Sequence, residues 1–182
     1  MERVIRTVAE DEKEAVLDFV EKVFTDSETA EDGKIVRNLV AEIRANKYYL
    51  PELDLVMVKE DNEIIGHVMF SRFHIEGKYE DRLLILTPVS VKTELQRRHI
   101  SKELIEYGLN KAREMGFKIC IVEGNPMNYR PRGFVTSARY NVFAAESVGL
   151  PHEDCLMIQE LVPGALDGVH GYVDYGFYKS LQ

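Results

Sequence analysis

Hydrophobic positions along this chain change period several times, and each change marks an element. Arg3 to Val8 alternates weakly and predicts a first strand. From Asp11 the pattern is helical, with Ala15, Val16, Phe19, Val20, Val23 and Phe24 recurring among Glu, Asp and Lys. The polar stretch TDSETAEDG, between Phe24 and Lys34, predicts a loop. A second helix follows on Ile35, Val36, Leu39, Val40 and Ile43, ending near Asn46. Leu53 to Lys59 alternates as LDLVMVK, and EDN separates it from EIIGHVMFSRFHIEG, so the two runs predict a hairpin.

After a polar turn at Gly77 to Asp81, Arg82 to Lys92 predicts the next strand and about Arg98 to Met115 a helix. Gly116 stands at the C-cap position, and Lys111 and Arg113 complement the negative end of the helix dipole. FKICIV, residues 117–122, is apolar on both faces apart from Lys118 and predicts an interior strand parallel to the one before the helix. That arrangement is a right-handed βαβ crossover. Asn125 to Tyr129 predicts a short helical turn, and Tyr140 to Ala145 and Cys155 to Leu161 two more strands. The order describes an α/β chain with a mixed sheet and helices on its faces.

The 182 residues contain no repeats or Ser/Pro linkers and predict one domain over 1–182. A domain of this size buries about 70% of the surface its unfolded chain exposes. A net charge of −8 argues against a general nucleic-acid binder and suits a cationic acceptor such as an amine. Cys120 and Cys155 lack CxxC spacing and read as reduced and structural. The N-terminus has no apolar signal region, and no run approaches a membrane span, so a cytoplasmic location without membrane contact is expected.

The stretch from Leu83 to Gly116 joins an apolar strand to a helix through Gln96, Arg97, Arg98 and His99. The first amides of a helix lack internal partners and carry partial positive charge, so such a junction favours anions. VSVKTELQRRHIS resembles the acetyl-coenzyme A binding motif of the GNAT (Gcn5-related) N-acetyltransferases, a strand followed by Q/R-x-x-G-x-G/A at a helix start. With the later GNPMNYRPRGF, it is similar to the YhbS-type branch of that family. Gln96 matches the first motif position, whereas His99 and Ser101 stand where the family has Gly and Gly or Ala.

The resemblance implies the GNAT fold, with two central parallel strands splayed apart, and acetyl-CoA as cosubstrate. The backbone of Val89, Ser90 and Val91 would hold the pantetheine arm, the Val89 N–H polarising the thioester carbonyl. The pyrophosphate would lie on Gln96, Arg97, Arg98, His99, Ile100 and Ser101, with His99 either pointing outward or weakening the cofactor's hold. Tyr129 precedes Gly133 and Phe134 with the spacing of the family's proton donor to the departing thiolate.

The residues themselves leave the base more open. Glu123, before Gly124, is the candidate, acting through a water, and Asn125 is a candidate orienting group. His67 and His74 are an odd number of positions apart, so a regular strand would put them on opposite faces, and both read as structural. No metal site is expected: His152 to Cys155 are adjacent and cannot all face one ion. No G-x-S-x-G elbow or P-loop is present, which removes support for hydrolase and NTPase readings. The tail aromatics Tyr172, Tyr175, Phe177 and Tyr178 could cover an acceptor cleft, join two subunits of a homodimer, or fold back onto the domain.

Three readings follow. The first is an acetyl-CoA-dependent N-acetyltransferase acting by direct transfer on a primary amine of a small molecule or peptide. The second is a degenerate GNAT domain that binds an acyl-CoA or another ligand without turnover. The third is a structural or partner-binding α/β domain.

Overall fold

The computed structural model describes residues 2–182 as two compact units, residues 2–71, 87–108 and 177–182 in the first and residues 72–86 and 109–176 in the second.

The first unit opens with β1 (Arg3–Thr7), antiparallel to β2 (Asp54–Lys59), which is antiparallel in turn to β3 (Ile64–Arg72). Helix α1 (Lys13–Ser27) buries Val16, Val20 and Val23, and α2 (Ala30–Arg44) buries Leu39, Val40 and Ile43. The loop expected at residues 25–33 shrinks to Glu28 and Thr29. Its polar residues read as a connector, but Thr29 acts as an N-cap, accepting from the Asp32 amide at 3.1 Å. Arg37 of α2 then pairs with Glu14, Asp18 and Glu21 of α1, so the charges bind one helix to the other.

A buried polar cluster lies beneath these helices. The fully buried Asp54 carboxylate accepts from Tyr49 Oη at 2.8 Å, Arg44 Nε at 2.9 Å and His67 Nε2 at 2.7 Å. Burial pushes Asp54 up, but the His67 and Arg44 contacts outweigh it and hold the carboxyl at about 2. An ionised carboxylate can only accept, so Nε2 of His67 carries the hydrogen. Arg44 also donates to the Lys13 carbonyl at 2.9 Å and ties α2 to the start of α1. His67 is thus structural, as expected. His74 accepts from the Gly77 amide at 2.9 Å and closes the turn after β3.

β4 (Leu83–Val91) and α3 (Ile100–Glu114) each contribute residues to both units. Gly108 of α3 lies against the Phe70 ring of β3, where a Cβ would fall 2.2 Å from Cε2. Only a glycine lets the helix approach that closely. The chain end also belongs to the first unit. Tyr178 is fully buried, Phe177 meets Tyr48 edge-on at 5.7 Å, and Glu42 accepts from the Lys179 and Ser180 amides. Those two aromatics therefore fold back.

In the second unit β4 pairs in parallel with β5 (Ile119–Glu123), as the apolar FKICIV run requires. β5 is antiparallel to β8 (Leu156–Glu160), and β8 to β6 (Val135–Thr136). A separate parallel pair joins β7 (Val142–Ala144) to β9 (Gly171–Val173). β6 and β9 are too short to give a sequence period. The strand expected from Tyr140 begins at Val142, because Ser137–Tyr140 forms a 3-10 turn closed by left-handed Asn141. Between β5 and β6 lies α4 (Pro126–Tyr129). Cys120 is buried, Cys155 partly so, and both are free; burial pushes the Cys120 thiol up. No helix among the described residues is long and apolar enough to cross a membrane.

Candidate functional site

The expected site residues fall in two groups, one in each unit. Val89, Ser90, Val91 and residues 96–101 belong to the first; Glu123, Asn125 and Tyr129 belong to the second.

Parallel pairing of β4 runs from Leu83↔Ile119 to Ile85↔Ile121 and goes no further. Pro88 then withholds a backbone donor, which breaks any continuous ladder. On the opposite edge the Lys92 amide donates to the Ile65 carbonyl at 3.0 Å. Consecutive strand residues address opposite edges. Ser90 therefore shares the edge of Lys92, and Val89 and Val91 turn their peptide groups to the edge where pairing with β5 has ended. The Ser90 hydroxyl is buried, with no hydrogen-bond partner among the described residues.

After a 3-10 turn at Thr93–Leu95, Gln96 is extended, and Arg97 and His99 take φ of 62° and 63°. Left-handed residues amid ordinary ones fold successive amides into a concavity that suits anions. This is also the start of a 15-residue helix, whose dipole adds to the effect. An L-residue at such φ costs about 1–2 kcal/mol, which glycine avoids. Position 99 thus holds a backbone shape that glycine favours while carrying an imidazole. Gln96, Arg97, Arg98 and His99 are exposed, Ile100 is buried and Ser101 is partly covered. Neither Arg97 nor Arg98 has a carboxylate partner among the described residues, so both guanidinium groups stand ready for an anion.

In the second unit β5 ends at exposed Glu123, and the Gly124 amide donates to the Cys155 carbonyl at 2.9 Å. Asn125 then caps α4, its Oδ1 accepting from the Met127 amide at 2.9 Å, with Pro126 in the first turn. Tyr129 closes that turn. Its ring stands nearly perpendicular to Phe134 with centroids 5.8 Å apart, and it also lies against Gly124. Pro131 and Arg132 form a 3-10 turn that left-handed Gly133 ends, its amide donating to Arg130 at 3.1 Å. Burial pushes the Tyr129 hydroxyl up to about 12; Arg132 opposes this and Cys120 adds to it. The phenol therefore stays protonated at neutral pH and can donate.

Tyr175, named above only among the tail aromatics, becomes a specific functional candidate through its neighbour. Its hydroxyl is buried beside the Glu123 carboxylate, and burial with that negative neighbour drives it up. The aromatic density of the tail hinted at this, but only folding pairs it with Glu123. Among the described residues no cluster of three His, Cys, Asp or Glu side chains could hold a metal ion.

A family model described as an acetyltransferase (GNAT) domain matches residues 4–136. The chain is 27% identical over 124 residues to the uncharacterized N-acetyltransferase YhbS of Escherichia coli K12, covering 68% of this chain and 71% of the relative. It is 29% identical over 126 residues to the uncharacterized N-acetyltransferase YjhQ of the same strain, covering 68% and 69%. Among solved structures, the fold is similar to E. coli YhbS in complex with CoA, with a TM-score of 0.82 at 22% identity over 95% of this chain and 89% of that one. It also resembles a GNAT acetyltransferase from Brucella melitensis in complex with acetyl-CoA, at TM-score 0.72 and 26% identity over 100% and 99%. With its mixed sheet and a family match over most of its length, this chain belongs to the GNAT acetyltransferase family.

Proposed function

We propose that the protein is an acetyl-CoA-dependent N-acetyltransferase, working as a single domain over residues 1–182, that transfers an acetyl group directly to a primary amine of a small molecule or peptide. The observation that carries this reading is the pair of left-handed residues, Arg97 and His99, at the mouth of α3. They supply the concave amides, two unpaired arginines and a helix dipole that a diphosphate needs. Relatives solved with CoA and acetyl-CoA support the choice of cosubstrate.

Bound acetyl-CoA would supply the activated acetyl group. Amides from Gln96 to Ser101 would hold its phosphates, with Arg97 and Arg98 adding charge. The free edge at Val89 and Val91 would align the pantetheine arm, and the Val89 N–H would stabilise oxyanion charge. Asn125 fixes the turn that presents Tyr129. Tyr129 Oη, protonated throughout the neutral range, would give its proton to a leaving thiolate. Glu123, exposed at the end of β5, would accept the acceptor's proton through water. The free Cys120 and Cys155 suit a reducing cytoplasm.

A second reading, binding without turnover, is favoured by the side chains at 99 and 101 where the family carries small residues. Thermal unfolding with acetyl-CoA tests the shared step, since ligand at 100 times its dissociation constant adds about 2.7 kcal/mol. Thiol release with a panel of primary amines then separates the two: release supports transfer, and a melting shift without release supports binding alone. No shift overturns both.

A further inference from the structure

The small parallel pair of the second unit frames a cleft that acetyl transfer, as proposed above, does not use. Register places Phe143 of β7 opposite Tyr172 of β9, so the two rings share a face, with centroids 6.1 Å apart and planes tilted by 39°. Tyr140, at the end of the preceding turn, stands on the same cleft, which has a volume of about 540 Å³. Leu166 supplies an apolar wall, and Arg139 and His170 line it as well. The aromatic residues remain accessible, Tyr140 at 38%, Phe143 at 37% and Tyr172 at 55%. Three exposed aromatics gathered on one concave surface of this volume are characteristic of a ligand site.

The walls are held from behind. The Gly171 amide donates to the Asn141 carbonyl at 3.0 Å, the Tyr172 amide to Glu76 Oε2 at 3.3 Å, and Tyr79 Oη to the Gly168 carbonyl at 3.5 Å. The cleft is therefore preformed by one backbone bond and two side-chain bonds to its backbone.

Charge selects the occupant. The Arg139 guanidinium has no carboxylate partner among the described residues, in a chain with a net charge of −8. Of the two carboxylates by the cleft, Glu76 is engaged by the Tyr172 amide at 3.3 Å, and Asp167 lies on its own turn, its amide donating to the Gly164 carbonyl at 3.1 Å. The free cation and the ring faces together favour a flat apolar body ending in an anion. We propose that this cleft binds a small planar aromatic carboxylate, its ring against Phe143 and Tyr172 and its carboxylate on Arg139.

The test is an amide-resolved NMR titration of the full chain with 2-naphthoate, beside its cationic counterpart 2-naphthylmethylammonium and the non-planar cyclohexanecarboxylate. For a probe of this size the expected dissociation constant is on the order of 1 mM or tighter. Saturable shifts at the amides of Asn141, Gly168 and Gly171 with 2-naphthoate, and much weaker ones with the other two probes, support the site. Arg139→Gln should weaken binding about tenfold by removing a charge-assisted contact. Tyr172→Ala should weaken it by about as much. Both positions are exposed, so the variants should melt like the parent. The proposal is overturned by the absence of saturable shifts, by equal binding of the ammonium probe, or by unchanged affinity in Arg139→Gln.

Discussion

Gly124 and Tyr129 share one space: a Cβ on residue 124 would lie 2.6 Å from Cε2 of the tyrosine ring. The glycine therefore sets where the proposed proton donor rests. Gly124→Ala should push the ring aside and lower kcat about 10- to 100-fold, because small misplacements of a catalytic group are costly. Tyr129→Phe keeps the ring and removes the proton, and should lower kcat about 100-fold with acetyl-CoA affinity nearly unchanged. Steady-state kinetics with calorimetry checks both, and full turnover in Tyr129→Phe would remove that residue from the mechanism. With the hydroxyl at about 12, its deprotonation should cause no alkaline fall in kcat below about pH 11.

His99 holds a φ that glycine takes without strain. His99→Gly should raise stability by about 1 kcal/mol, net of the entropy glycine costs in the unfolded chain. It should also tighten acetyl-CoA binding if the imidazole crowds the phosphates. Chemical denaturation reads the first effect and calorimetry the second; a destabilised variant would show that the imidazole makes contacts worth more than the strain.

Asp54 carries a pH signature. Its folded value of about 2 lies below the unfolded value of about 3.9, so the folded state favours the ionised form. That stabilisation, about 2.6 kcal/mol, is complete above about pH 5 and is lost progressively as pH falls through 4 and 2 toward 1. Asp54→Asn strands the buried Arg44 and His67 and should cost about 3–5 kcal/mol at pH 7. Urea unfolding of both proteins from pH 2 to 7 should show the gap between them narrowing below about pH 5. A constant gap would mean that Asp54 is not the titrating group.

Gly108 lets α3 seat against Phe70. Gly108→Ala would gain helix propensity in solution yet overpack this contact, and a net loss of about 1–3 kcal/mol is expected. A higher melting temperature would show that the Phe70 ring yields easily.

Much of this architecture could be read along the chain. The period of α1, the hairpin of β2 and β3 and the doubly apolar run of β5 each announced an element, because burial of one face or of two leaves a distinct spacing. The stretch 25–33 misled because its Ser, Thr, Asp and Gly residues serve equally as turn formers and helix caps. β6 and β9 were silent, since two or three residues carry no period and exist only through their partners.

What the sequence determined by itself was the family motif around Gln96, the candidacy of Tyr129 and the order of the main strands, all of which depend on neighbours close along the chain. Tertiary structure alone decided that Arg97 and His99 turn left-handed, that Asp54 meets Arg44, Tyr49 and His67 in one buried cluster, that Glu123 lies beside Tyr175, and that Phe143 faces Tyr172. Those relationships join residues distant in the chain or fix a backbone angle against its local preference. Only the packing of the whole fold supplies the energy to hold them.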